Sequence, residues 1–546
     1  MRPSVATVLL AAALAACGAD TRTSPGAAAV PDSARYGGTL VIGASSDIGD
    51  ISPLTWHVQN ALYIQEYVLF TPLIAYDSAL TPIPRLARSW EVNADTTLLT
   101  FHLRDDVWWQ DGVRTSAYDV KFSVDAARDP RSGYIYTGQW THYGQAEAVD
   151  SFTFRIRMRP HAEFLDVWRT FAPVPEHVLR GVPRERLASH PFGTRAPVGN
   201  GPFRFVSREP GQAWVFEANP RWPKELGGRP YVDRLVYRSV PEPVTLLTEL
   251  ETGAVDVYPG MPPQFAPRVR ASARTRLIDF PDLAFETIYW NHRRTPFGDA
   301  RVRRALTMAI DRERIVAVVR GGFGRVANST VAPVLWAHDS TAGAGLRHDP
   351  DAARRLLAEA GFHDRDGDGV VEGPGGTPFR LTLKVPHGYQ ERRDIAELVQ
   401  ADLKKVGVDA AVREVEFNTL IEQASARTRD FDALVLGWKP EFRVDDSDLF
   451  ACAKHDNPIT FAGYCNPRAD ALMDSVQLIP DRRAALPLWR RYQVLIAADQ
   501  PISLLYFGNR LVGVSRRVQD AKPDARGDWV GIDRWWILPS QREARR

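Results

Sequence analysis

Apolar and polar residues alternate along "SFTFRIRMRP" (151–160), the period of a half-buried strand. Further strands are predicted at "GGTLVIGAS" and "VDAAVREVEF", and "GPFRFVSREPGQAWVFEANP" reads as a hairpin about Pro210-Gly211. The stretch "TTLLTFHLRDDVWWQDGVRTSAYDVKFSVDAA" reads as strand, Asp111-Gly112 turn, then helix. Elsewhere the period lengthens to that of a helix. "DARVRRALTMAI" carries Val302, Ala305, Leu306, Ala309 and Ile310 on one face behind an Asp299 cap. "DPDAARRLLAEAG" has Asp349 as cap, Pro350 in the first turn and Gly361 as stop. "RDIAELVQADLKKVG" puts Ile395, Leu398, Val399, Leu403 and Val406 on one stripe and ends at Gly407.

The most informative stretch is "FDALVLGWKPEFRVDDSDLF" (431–450). Ala433-Leu434-Val435-Leu436 is a buried strand that runs into Gly437-Trp438, then Glu441 and the acids Asp445, Asp446 and Asp448. Strand and helix alternate through this last third, which predicts a doubly wound α/β unit. In such sheets ligands sit beyond the carboxyl ends of the strands, where Trp438 and Glu441 fall.

The 546 residues suffice for several domains, and a net charge of +2 with both signs interspersed gives no footprint for nucleic acid. Fifteen tryptophans are read mainly as core, a few as stacking platforms. "MRPSVATVLLAAALAACGAD" has a charged start and an apolar run too short to span a bilayer, so 1–16 reads as an export signal. Leu14-Ala15-Ala16-Cys17 resembles a bacterial lipobox, which implies cleavage before Cys17 and a lipid on its sulfur. Residues 17–35 are small, polar and proline-broken, a flexible tether. Outside the cytoplasm, Cys452 and Cys465 are expected to pair, the alternative being two free thiols.

Catalytic signatures are missing: there is no G-x-S-x-G, H-E-x-x-H, C-x-x-C or phosphate-binding loop. No enzyme activity and no cofactor are assigned. "DRDGDGVVEGPGG" begins like a calcium loop with Asp364, Asp366, Asp368 and a turn at Gly369. Its twelfth position is Gly375 and no helix follows, so it is read as a polar turn with calcium the lesser alternative.

Several blocks, in order from Tyr36 nearly to the end, together resemble family 5 solute-binding proteins of ABC transporters, the dipeptide, oligopeptide and nickel-binding group. They include "YGGTLVIGASSD", "PIPRLARSWEVNADTTLLTFHLRDDVWWQDGVRTSAYDVKFSVD", "LTELETGAVDV", "YWNHRRTPFGDARVRRALTMAIDRERIV" and "HDPDAARRLLAEAGF". The resemblance implies a two-lobed α/β fold of periplasmic-binding-protein type (class II) with an extra small domain. Lobe I would be 36–68, 193–285 and 506–546, the inserted domain 69–192, and lobe II 286–505. Ligand would lie between lobes that close by hinge motion, and the closed form would dock on a membrane permease and its ATPase.

In peptide-binding members a Gly-Trp ends a lobe II strand, and an Asp three residues past the Trp takes the ligand's ammonium. Gly437 and Trp438 match here, Glu441 stands where that Asp would be, and Asp445 beyond it is a further candidate ligand contact. Dipeptide binders also carry an Arg that clamps the ligand's carboxylate. That position falls at Pro386 or His387, with Arg392 and Arg393 nearby on the next helix. "LFACAKHDNPITFAGYC" is similar to dipeptide-binding members in its cysteine spacing. The expected function is a monomeric, lipid-anchored receptor delivering peptides to an importer. A non-peptide solute (nickel chelate, oligosaccharide or opine) on the same fold, and an exported hydrolase, are the alternatives.

Overall fold

The computed structural model describes residues 30–55, 59–425, 428–454, 457 and 460–542. The export segment and Cys17 lie outside the described residues. The folded body starts slightly before Tyr36. Asp32–Arg35 form a 3-10 turn, the Tyr231 hydroxyl donates to Asp32, and the Tyr36 and Tyr231 rings meet edge on at 5.1 Å. The expected tether therefore gives its last four residues to the body.

One mixed sheet of eleven strands runs through both lobes. Across it lie, in order, the strands Asp409–Val415, Arg380–Pro386, Ala433–Trp438, Thr275–Trp290, Ile502–Ser515, Val257–Pro259, Thr39–Ala44, Arg234–Ser239, Ala213–Ala218 and Phe203–Glu209. Gly324–Val326 pairs beside Ile502–Ser515. The first three are parallel and joined by the helices Gln390–Lys404 and Phe417–Ala424, the doubly wound unit that the pattern predicts. Thr39–Ala44 pairs in parallel with Arg234–Ser239, and the predicted hairpin turns at Gly211, whose φ of +73° suits glycine.

Two strands are much longer than the rest. Thr275–Trp290 and Ile502–Ser515 pair antiparallel and carry the chain from one lobe to the other. Their register breaks between Pro281 and Phe285 and again between Glu286 and Thr287. The lobe boundaries expected at 285/286 and 505/506 fall inside these two strands.

Lobe II buries the predicted stripe: Ile395, Val399, Leu403 and Val406 pack against Leu383, Val385 and Val435, while Leu398 lies at the margin. The helix Ala300–Ala309 begins at Asp299, whose carboxylate accepts the Arg301 amide, and Asp349 caps Pro350–Glu359 in the same way. Within 69–192, four strands (Ala87–Val92, Leu98–Leu103, Tyr143–Asp150 and Thr153–Met158) form a separate antiparallel sheet. Its core is aromatic: Trp168 lies 5.1 Å from Phe101 and 5.4 Å from Trp140. Most tryptophans are core, as expected.

Lobe II also touches this inserted domain. Arg482 grips Glu163 with two hydrogen bonds of 3.0 and 2.8 Å, Trp336 Nε1 donates to Glu163 at 2.9 Å, and the Ala162 amide donates to the Gln477 carbonyl. Among the described residues no helix is long and apolar enough to cross a membrane.

Cys452 and Cys465 are bonded across a separation of 13 residues. Closing a loop of that length contributes about 3 kcal/mol through the unfolded chain. The double variant Cys452→Ser/Cys465→Ser should lose about that much in chemical denaturation, and wild type should fall to the same value in reductant. Equal stability of the three would show that the bridge contributes nothing.

Candidate functional site

The chain passes from Arg380–Pro386 to Asp409–Val415 on one side and then crosses back to Ala433–Trp438 on the other, so the strand order reverses there. A crevice opens at the carboxyl ends of such strands. Gly437 and Trp438 end the buried strand there, with Trp438 half-buried and paired in register with Phe285. Gly437 is opposite Glu286. A Cβ on Gly437 would come within 2.5 Å of Glu286 Oε1 and 3.0 Å of Arg392 Nη2, so only glycine leaves room for that ion pair.

Arg392 Nε and Nη2 each donate to Glu286 at 3.1 Å. Burial raises the Glu286 carboxyl while Arg392 opposes the shift. Sequence reasoning placed Arg392 on the helix, which is correct, but did not see that its side chain reaches back over Gly437. Its place in the first turn of the helix is legible, but the pairing with Glu286 depends on a strand more than a hundred residues away in sequence. His387 faces solvent and hydrogen-bonds Glu414 at 2.9 Å, directed to the neighbouring strand rather than to Trp438.

Where the long strands lose register, a cavity of about 130 Å³ is lined by Asp282, Glu286, Arg320, Glu391, Tyr506 and Asn509. The Tyr506 hydroxyl donates to Glu391 at 2.6 Å, and Arg320 pairs with the same carboxylate at 3.2 Å. These groups fix one another. On the lobe I side Arg510 holds the fully buried Asp528, whose Oδ2 has no hydrogen-bond partner. Burial raises the Asp528 carboxyl and Arg510 opposes this. Lys439, the residue after Trp438, lies 3.6 Å from Asp282 and donates across the cleft to Gln59 of lobe I at 3.1 Å. Desolvation lowers its ammonium while Asp282 supports it.

Glu441 occupies the opposite corner, between lobe II and the inserted domain. The residue is exposed, and among the described residues its carboxylate makes no hydrogen bond or ion pair. Enough protein surrounds it that desolvation raises its carboxyl, with the charge of Asp166 adding to the shift and Arg169 and Arg443 opposing it. Those cations already have partners. Arg169 binds Glu66 at 3.0 Å and lies 4.6 Å over the Phe442 ring; Arg443 pairs with Asp445, and Lys454 with Asp448. Glu441 is the acid left over.

The other acids of this loop already have partners. Asp445 also accepts the Ser447 amide at 2.9 Å, so its carboxylate shapes the turn. Asp446 is buried and accepts hydroxyls from Thr330 and, at 3.1 Å, from Tyr492. Sequence reading singled out Asp445 and passed over Asp446, since only burial separates two adjacent aspartates.

A two-lobed protein whose lobes share one sheet, with a charged crevice where the connecting strands cross, has the architecture of a solute-binding protein. The chain belongs to a family of them: the model described as "Bacterial extracellular solute-binding proteins, family 5 Middle" matches residues 81–458. Members of this family are binding proteins. The oligopeptide-binding protein AppA of Bacillus subtilis is 28% identical over 533 residues, covering 97% of each chain. The dipeptide-binding protein of Escherichia coli is 24% identical, over 84% of this chain and 90% of its own. The structure of AppA from Bacillus subtilis in complex with a nonapeptide superposes with a TM-score of 0.76 at 27% identity, over 92% of this chain and 99% of that one. NikZ from Campylobacter jejuni in complex with Ni(L-His) also gives 0.76, at 22% identity over 91% and 99%, a likeness of fold.

Burial pushes the Asp446 carboxyl from 3.8 up to about 6, with the Thr330 and Tyr492 hydroxyls opposing the shift. A carboxyl raised in the folded state contributes stability below its unfolded pKa, and loses it as pH rises through the folded one. About two units correspond to about 3 kcal/mol. Asp446→Asn should therefore gain on wild type by up to that amount between pH 4 and pH 7, measured by chemical denaturation. Parallel stability profiles would place the titration elsewhere.

Proposed function

We propose that the chain captures extracytoplasmic peptides between its lobes and delivers them to an ABC permease. Glu441 takes the ligand's amino terminus, and Trp438 gives the chain beside it an apolar face. The observation that carries this reading is the unpaired Glu441 carboxylate, in a crevice whose nearby cations are already bound. An ammonium enclosed there must be paired or it pays several kcal/mol of desolvation. The peptide's main chain would be held by backbone hydrogen bonds, as in strand addition, which gives affinity with little sequence preference.

The reading favours peptides longer than two residues. Arg392, the arginine at the lobe II mouth, is committed to Glu286 and so is a poor clamp for a carboxylate close to Glu441. The nonapeptide complex of AppA supports this choice. Binding without chemistry is part of the same proposal, as is closure about the register breaks of the two long strands, with Lys439–Gln59 and Arg482–Glu163 as contacts of the closed form.

Mass spectrometry of ligand released from purified protein should find intact peptides. Calorimetry should then show Glu441→Gln binding such a peptide about a hundredfold or more weakly, since removing one partner of a buried pair costs about 3–5 kcal/mol. N-acetylation of the peptide should weaken wild type to a similar degree and the variant little. Equal losses in both proteins would take Glu441 out of the site, a released nickel chelate, sugar or opine would replace the ligand class, and turnover of the peptide would mark an enzyme.

The anchor belongs to the proposal too. A Cys17→Ala chain should leave the membrane fraction; its retention there would refute lipidation at that residue.

A further inference from the structure

The loop that follows the helix Pro350–Glu359 gathers four acids on the outer edge of lobe II. Asp364, Asp366, Asp368 and Glu372 each present a carboxylate oxygen, and these atoms lie within 4.8 Å of one another. The chain makes them converge. Asp364 accepts the amides of Gly367 and Gly369 at 2.7 and 3.1 Å, and Asp368 accepts that of Val370 at 2.7 Å. Gly367 and Gly369 turn in the left-handed region, at φ +80° and +88°. A polar surface turn would need no more than this.

Glu372 is different. It is only 6% exposed, and its backbone is fixed by a two-way bridge to His363 at 3.0 and 2.9 Å. Its Oε2 accepts the Arg365 amide at 2.8 Å, while Oε1 is buried without a hydrogen-bond partner. Among the described residues none of the four acids is paired with a lysine or arginine. A buried carboxylate with one oxygen lacking a donor, grouped within 4.8 Å of three further acids, is a costly arrangement for a turn and a suitable one for a cation.

We propose that Asp364, Asp366, Asp368 and Glu372 form a calcium site that staples the outer edge of lobe II. The donors are all hard oxygens, which excludes a preference for zinc, copper or nickel. Their places are positions one, three, five and nine of the loop, with Gly369 at six, the spacing of calcium-binding loops. Gly375 stands at position twelve in place of a bidentate Glu, so affinity falls in the weak range of extracellular modules, about 10⁻⁴–10⁻³ M.

What the ion would hold together is visible in the backbone. The Val371 amide donates to the Gly407 carbonyl and the Phe379 amide to the Val371 carbonyl, both at 2.8 Å. The loop thus binds the end of the helix Gln390–Lys404 to the start of Arg380–Pro386. The ligand crevice lies at the other end of that strand, so calcium acts on stability and leaves peptide affinity unchanged.

The test uses the full chain, stripped with EGTA, in calorimetric titration with CaCl₂ and in melting with calcium or magnesium at constant ionic strength. One site in the stated range is expected, with a melting rise of about 2–4 °C at several millimolar calcium and little rise with magnesium. Asp366→Asn and Glu372→Gln should each bind calcium at least tenfold more weakly. In EGTA both should melt no lower than wild type, because repulsion among the acids is relieved; in calcium both should melt lower. If one variant does not fold, the other decides. No binding by wild type up to 10-fold above the weak limit, equal effects of magnesium, or calcium binding retained by the variants would overturn the site.

Discussion

The antiparallel pairing of Thr275–Trp290 with Ile502–Ser515 holds the two lobes in one sheet, and every feature of the crevice is placed relative to it. Backbone hydrogen bonds keep the lobes in register along most of its length. The pairing gives way only from Pro281 to Phe285 and at Glu286–Thr287. Proline lacks an amide to donate, and extra residues opposite a strand bend it and increase its twist. The lobes can therefore move about a short segment without breaking the core of either. Asp282 and Glu286, the acids that meet Lys439 and Arg392, lie within that segment or at its end.

Charge in the crevice is distributed unevenly. Around the joining strands Arg392 is set against Glu286, Arg320 against Glu391 and Arg510 against Asp528, each pair shielded from water on several sides. Buried pairs of this kind add little net stability, but losing one partner is expensive, so they fix geometry. Near the inserted domain the balance changes. Glu66, Asp166, Asp445 and Asp448 engage Arg169, Arg443 and Lys454, and the exposed Glu441 has no ion pair among the described residues, leaving an excess of acid. On the proposed reading, a crevice balanced at its base and negative at one corner would orient a ligand by its cationic end.

Periodicity made the elements legible because lobe II buries them so regularly. The stripe of Ile395, Val399 and Leu403 packs into one cluster. The run Ala433–Leu436 sends Ala433 and Val435 to one core and Leu434 and Leu436 to another, the alternation of a strand buried on both faces. Local pattern and tertiary packing therefore agree. The disulfide could be read from count and compartment, and the crevice from the change of character after Leu436. Side-chain commitment could not be read. Arg392 and His387 are neighbours in sequence, yet one folds back to Glu286 and the other turns outward to Glu414. Asp445 and Asp446 are adjacent, and one is a turn former while the other is buried against Thr330 and Tyr492. Such differences follow from the direction of a single Cα–Cβ bond relative to distant chain, which no local pattern encodes. The calcium-like loop shows the same limit, since Glu372 at position nine gains its significance only from burial.

Gly437 connects these levels most directly. A Cβ at this position would force the Glu286–Arg392 pair to shift. With glycine present, the charge of the guanidinium is met by Glu286 and its Cζ lies 5.2 Å over the Tyr389 ring. An arginine held in this way offers a ligand a wall rather than a counter-charge. The positive groups that would fix a short peptide at both ends are thereby reduced at this end of the crevice, while the negative corner at Glu441 is kept. With Glu441 holding the amino terminus as proposed, one anchored terminus and one unclamped end would be the electrostatic condition for accepting peptides of several lengths. It arises from the smallest side chain in the site.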